Sequence, residues 1–143
     1  MNGTQRGQWE ELFVDTSGFF AMGNSRDNHF DDAQLILRAA ASSGTRLVTT
    51  TYIVAESHAL FLSRSGYARA ARFLREIDAG TVSILQPTGE DELAARASIY
   101  RYTDKLFSLT DAISFAVMER LGITTALAFD RDFERYGFAM ARA

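Results

Sequence analysis

Short apolar runs alternate along this chain with longer stretches of helical period. ELFVD (11–15) is a brief apolar run ending in a polar turn and reads as a buried strand. Phe30 to Ala41 carry Ala33, Leu35, Ile36, Leu37, Ala39 and Ala40, a helix stopped by Ser-Ser-Gly. RLVTTT (46–51) is β-branched and predicts a second strand, followed by a buried helix from Tyr52 to Ser63 that Gly66 breaks. Residues 67–79 place Ala70, Phe73, Leu74 and Ile77 at amphipathic helical spacing, and TVSIL (81–85) is a third strand closed by Gln86-Pro87. A polar-faced helix is expected over 90–102. Ile113, Ala116 and Val117 mark a core-facing helix that Gly122 ends. ITTALAF (123–129) is a fourth strand, residues 131–136 a helical turn, and GFAMAR (137–142) a small fifth strand.

Strands separated by helices predict an α/β fold: a three-layer α/β/α sandwich around a mostly parallel sheet of four to five strands. Apolar residues make up 47% of the 143 residues, charged residues 23%, and there is one proline, a globular composition that predicts one domain over 9–143 behind a flexible tail at 1–8. No stretch is apolar enough for a signal peptide or a membrane span, and cysteine is absent, so a cytoplasmic location is expected and thiolate chemistry is excluded.

In such sheets ligands bind outside the carboxyl ends of the strands. Asp15 falls at the end of the first strand, Asp130 at the end of the fourth, and Asp132 two residues further on. Asp111 opens the helix that feeds the fourth strand, and Glu56 lies early in the helix after the second. If the first and fourth strands are neighbours, Asp15 and Asp130 converge with Asp111 above them. Clustered carboxylates repel one another and call for a cation or for protons. Oxygen ligands without Cys, beside only His29 and His58, favour Mg²⁺ or Mn²⁺, an apparatus suited to phosphodiester hydrolysis. Each acid also has a local explanation. Asp111 lies three after Ser108 and suits a helix cap, Asp130 and Asp132 suit the turn before Phe133, and Asp15 suits a turn with its own backbone. Glu56, set among apolar neighbours in VAESHALFL, is expected to be at least half-buried and in need of a partner. Thr16 and Ser17 place hydroxyls beside Asp15, and the two histidines read as structural or solvated.

The formal net charge of −3 argues against general nucleic-acid binding, but the cations are nearly all Arg, and Arg64, Arg69, Arg72 and Arg75 fall close together. They are candidates for RNA contact, or form the outer face of a solvated helix.

Four stretches, LFVDTSGFFA, TTTYIVAESHAL, SLTDAISFAVMERLGI and ALAFDRDFERYGF, together resemble the PIN domain, and especially the VapC-type toxin ribonucleases, from about Leu12 to Phe138. The resemblance implies a metal-dependent ribonuclease acting on single-stranded RNA. It makes Asp15, Glu56, Asp111 and Asp130 the acidic quartet that holds Mg²⁺ or Mn²⁺, Asp132 an auxiliary acid and Ser17 the supporting hydroxyl. It also implies a cognate antitoxin and a homodimer. Ala128 stands where many relatives carry Thr, so that position offers Asp130 no hydroxyl. Two rival expectations are a catalytically quiet PIN-like domain that binds RNA or protein, and another α/β acid-pocket protein such as a phosphatase. Against the latter, Asp15-Thr-Ser lacks a second Asp and Lys105 lies far from a strand end.

Overall fold

The computed structural model describes residues 9–143; the expected tail at 1–8 lies outside them. Strands β1 (Glu11–Val14), β2 (Arg46–Thr50), β3 (Val82–Leu85), β4 (Thr125–Leu127) and β5 (Ala139–Met140) form one sheet in the order β3-β2-β1-β4-β5. Every pairing is parallel. β1 is central, pairing Phe13 with Val48 on one side and with Ala126 on the other. Leu12, Phe13 and Val14 are all fully buried, as expected of a strand covered on both faces.

The helices are α1 (Thr16–Gly23), α2 (Phe30–Ser43), α3 (Thr51–Ser65), α4 (Tyr67–Asp78), α5 (Gly89–Arg101), α6 (Leu109–Leu121) and α7 (Asp132–Tyr136). The chain steps outward from β1 to β2 to β3, then returns past them to β4. Right-handed crossovers therefore put α1 to α4 on one face and α5 to α7 on the other. Packing follows that division: α1 lies against α2 and α3, α3 against α4, and α6 against α5 and α7. On the second face Phe115 meets Phe133 edge-on at 5.0 Å and stacks on Tyr136 at 4.3 Å. Asp91, buried at the first turn of α5, receives both Nε and Nη2 of Arg120 from the last turn of α6, each at 2.8 Å. This fork ties the two helices together, and Asp91 also closes the capping box with Thr88.

Three expectations need correction. The first is α1, where the sequence pattern indicated only a turn. Asp15 caps this helix by accepting the N–H of Ser17, and Phe19, Phe20 and Ala21 are buried on it. Its apolar residues follow no single stripe because the helix is wedged between the sheet and its neighbours. At Gly18 a Cβ would lie 2.3 Å from the carbonyl oxygen of Leu127, so only glycine lets α1 approach β4 this closely. The second is α3, which is not buried all round: Ile53, Ser57 and Phe61, spaced by four, are its buried line. The third is β4, which has three residues where seven were expected; Ala128 to Asp130 leave the ladder and turn into α7. Among the described residues no helix is long and apolar enough to cross a membrane.

Candidate active site

The adjacency of β1 and β4 brings the residues that follow the first and fourth strands together at the carboxyl edge of the sheet. The N–H of Asp15 donates to the carbonyl of Leu127 at 3.2 Å, so the residues that follow both strands leave the sheet side by side. Asp15 is 2% exposed. Its Oδ2 accepts from the N–H of Ser17 at 3.3 Å and from the Ser17 hydroxyl at 3.0 Å. Its Oδ1, also buried, finds no donor among the described residues. A buried carboxylate oxygen without a partner is costly unless a cation or a proton meets it.

The charges around it point the same way. Burial first, then the charges of Asp130 and Asp111, push the Asp15 carboxyl up to about 7, with the Ser17 hydrogen bond opposing. Burial likewise lifts Asp111 to about 6, with the N–H of Ser108 opposing and the charges of Asp130 and Asp132 adding to the rise. Asp130 is also raised, by burial first. Three carboxyl groups thus sit in one another's fields, and among the described residues no basic side chain forms an ion pair with Asp15, Asp111 or Asp130, although the charge of Arg135 partly opposes the rise at Asp130.

Local structure holds each acid. Asp111 is both a cap and a member of the cluster: its Oδ2 accepts the N–H of Ser108 at 3.3 Å, while the Ser108 hydroxyl accepts its N–H at 3.0 Å. Asp130 Oδ1 accepts the N–H of Asp132 at 3.1 Å, so the backbone supports it where Ala128 offers no hydroxyl. Asp132, the first residue of α7, pairs with Arg135 at 3.4 Å, and its charge is felt by Asp111 and Asp130. Glu56 is exposed, contrary to expectation, because its apolar sequence neighbours lie on other sides of α3. It nevertheless has a partner: the Thr16 hydroxyl donates to Glu56 Oε1, and the buried Ser57 hydroxyl donates to Thr16 Oγ1 at 3.3 Å.

These residues suit a hard divalent cation, offering carboxylate oxygens only, one of them buried without a donor. They do not close around a point: among the described residues no group of three His, Cys, Asp or Glu side chains forms a ready-made cage. An open, partly hydrated arrangement is the usual habit of Mg²⁺.

The PIN domain family pattern matches residues 12–139. The chain belongs to the PIN domain family. It is 36% identical over 132 residues to the 23S rRNA-specific endonuclease VapC20 of Mycobacterium tuberculosis, covering 92% of this chain and 98% of that one. Ribonuclease VapC26 of the same organism is 28% identical over 121 residues, covering 84% and 87%. The crystal structure of VapC20, described as a sarcin-ricin loop cleaving toxin, superposes with a TM-score of 0.84 at 32% identity over 92% of this chain and 99% of that one. VapBC2 of Rickettsia felis, bound to a promoter DNA fragment, has a TM-score of 0.70 at 11% identity over 91% and 96%, a likeness of fold.

Three of the four candidate arginines in this PIN domain have partners other than the clustered carboxylates. Arg64 lies over the Phe20 ring at 5.7 Å, Arg69 donates to the carbonyl of Gly23 at 2.9 Å, and Arg72 faces Glu76 at 3.6 Å. Arg69 and Arg72 line a cavity of about 690 Å³ between α1, α2 and α4, floored by Leu47 and Val82. Sequence reasoning missed two features of the site. Ser17 Oγ also accepts the N–H of Phe129 at 2.9 Å, so one hydroxyl joins Asp15 to the segment carrying Asp130. His29, expected to be solvated or structural, is exposed but stacks on Phe129, with centroids 4.6 Å apart and rings 10° from parallel.

Proposed function

We propose that this protein is a metal-dependent endoribonuclease that cleaves phosphodiester bonds in single-stranded RNA, acting in the cytoplasm as the toxin of a toxin–antitoxin pair. Family membership and the relatives named as ribonucleases support the RNA-cleaving activity. The observation that carries the catalytic reading is the buried Asp15 oxygen without a donor, facing the fields of Asp111 and Asp130.

Asp15, Asp111 and Asp130 would hold Mg²⁺ or Mn²⁺, with Glu56 as a further ligand or a hydrogen-bonded support and Asp132 as an auxiliary acid. When bound, the cation would activate water for in-line attack and neutralise charge on the phosphate. The chain's own contribution is placement. Ser17 fixes the Asp15 carboxylate and the turn at Phe129, Thr16 fixes Glu56, and the Ser108 cap fixes Asp111. These hydrogen bonds are in place before the substrate arrives. We further propose a cognate antitoxin and a homodimer as partners. The exposed Leu93 and Tyr100 of α5 offer apolar surface for association.

The test is cleavage of a pool of cellular RNAs, with the 23S rRNA loop cut by VapC20 as one defined substrate, in Mn²⁺ with and without chelator. Cleavage by the wild type that chelator abolishes and Asp111→Asn lacks is expected. Equal cleavage by Asp111→Asn would remove the acids from the mechanism.

A further inference from the structure

The stacked pair beside the site has no role in the proposed chemistry, and only its Phe129 ring packs against the core. Phe129 is half-buried and is the residue immediately before Asp130, so its Cα lies one peptide, about 3.8 Å, from that of a cluster carboxylate. Its N–H is held by Ser17 Oγ, the same hydroxyl that donates to Asp15. His29 lies parallel over its ring and is exposed.

The loop that brings His29 there is well held. Asn24 Oδ1 accepts the N–H of Arg26 at 3.1 Å, Asp27 Oδ1 accepts the N–H of His29 at 2.8 Å, and the carbonyl of His29 accepts the N–H of Ala33 in the first turn of α2. With Phe129 stacked on one side, the imidazole remains exposed.

A polyanionic substrate approaching this acidic edge meets the repulsion of the carboxylates, and the nearby Arg131 and Arg135 are already paired with Glu134 and Asp132. Uncharged contacts next to the reacting phosphate must therefore contribute to its binding. Every nucleobase has a π-face that stacks on an aromatic ring without regard to its hydrogen-bonding edge, and single-stranded RNA can turn its bases outward. We propose that the His29–Phe129 stack is the platform on which the base flanking the cleaved phosphate lies. This rests on the ribonuclease reading of the site, and it makes His29 a positioning residue for the substrate and not a proton carrier.

The test uses the full chain as wild type, His29→Ala and His29→Phe, with an oligoribonucleotide carrying 2-aminopurine on one or the other side of the cleavage position. With Mn²⁺, His29→Ala should lose about 5- to 150-fold in kcat/KM, mostly through KM, the range expected for one base stack. The quench of 2-aminopurine at one flanking position should disappear, and His29→Phe should restore both readouts. If His29→Ala melts at a lower temperature but keeps its KM and its quench, the pair only pins the loop to β4 and the proposal is overturned. Should the wild type cleave no RNA, the ribonuclease reading falls; a quench of 2-aminopurine placed within an unstructured oligoribonucleotide, seen with the wild type and His29→Phe and lost with His29→Ala, would then support base stacking on the pair, and its absence would overturn it.

Discussion

Ser17 and Phe129, 112 positions apart, are joined by a 2.9 Å hydrogen bond from the Phe129 N–H to the Ser17 hydroxyl, which in turn donates to Asp15 at 3.0 Å. Ser17→Ala leaves a partly buried N–H unpaired and frees the Asp15 carboxylate. It should lower stability by about 1–3 kcal/mol and weaken Mn²⁺ binding about 10- to 100-fold. Thermal unfolding and calorimetric titration with Mn²⁺ read the two effects separately, and unchanged metal affinity would limit Ser17 to a structural role.

Asp15→Asn should act in opposite directions on activity and stability. Cleavage should fall at least about a hundredfold, since a ligand is lost rather than its support. Without metal at pH 8, however, the variant should be more stable than the wild type by about 1–3 kcal/mol, because a buried charge in a repulsive field is gone. Chemical denaturation in the presence of chelator measures this. A variant less stable than wild type under those conditions would show that the repulsion is already relieved.

The pH dependence follows from the same groups. An unfolded Asp titrates near 3.8, whereas folded Asp15 and Asp111 titrate near 7 and 6. Between those values the native chain retains protons that the unfolded chain has released. The stabilising contribution is therefore complete below about pH 4 and is lost as pH rises through 6 to 7. Metal-free protein should be more stable at pH 5 than at pH 8, apart from other titrating groups. Asp15→Asn should shrink the difference. Metal competes with those protons, so Mn²⁺ affinity and cleavage should rise over the same interval, which a titration at several pH values would show.

Asp91 provides a contrast, since the Arg120 guanidinium holds its carboxyl down at about 2. That contribution is present above the ordinary Asp value and is lost as pH falls through about 2. Asp91→Ala removes a helix cap and the partner of a fork, and should destabilise the fold by about 2–4 kcal/mol. At temperatures where it remains folded its cleavage should stay near wild type; a large loss of kcat there would mean that the α5–α6 contact positions Asp111.

Gly18→Ala should cost about 1–3 kcal/mol through overpacking, as its Cβ would press on the Leu127 carbonyl. Because that carbonyl also accepts the N–H of Asp15, cleavage should fall with stability. A melting temperature equal to wild type would mean that α1 can shift without strain.

Much of the architecture was legible because β1 to β4 lie in short apolar or β-branched runs between polar turns, and because an alternation of strand and helix admits few layered arrangements. The order of the strands was not written in any local pattern. Asp15 and Asp130 converge only because β4 lies beside β1. α1 escaped notice since its residues answer to tertiary contacts, with Gly18 set by the approach to Leu127. Glu56 was misjudged for a related reason: neighbours in sequence are not neighbours on a helix, and the buried line of α3 passes through Ile53, Ser57 and Phe61 instead. Asp111 showed that a cap and a cluster member can be one side chain, a choice the sequence left open.

The central position of β1, between the second strand and the fourth, also has a meaning for the order in which the chain is made. Domains generally fold as units while the ribosome is still adding residues. Here Asp15 and Glu56 emerge early, but the carbonyl of Leu127, the N–H of Phe129 and Asp130 come late. A nascent chain or fragment stopping short of β4 has Asp15, Glu56 and Asp111 but lacks Asp130, the strand that seats β1 on that side and the Phe129 N–H that Ser17 accepts. On the ribonuclease reading, the cell meets a nuclease only once nearly the whole chain has been synthesised, so its unfinished copies are harmless to the RNA that makes them.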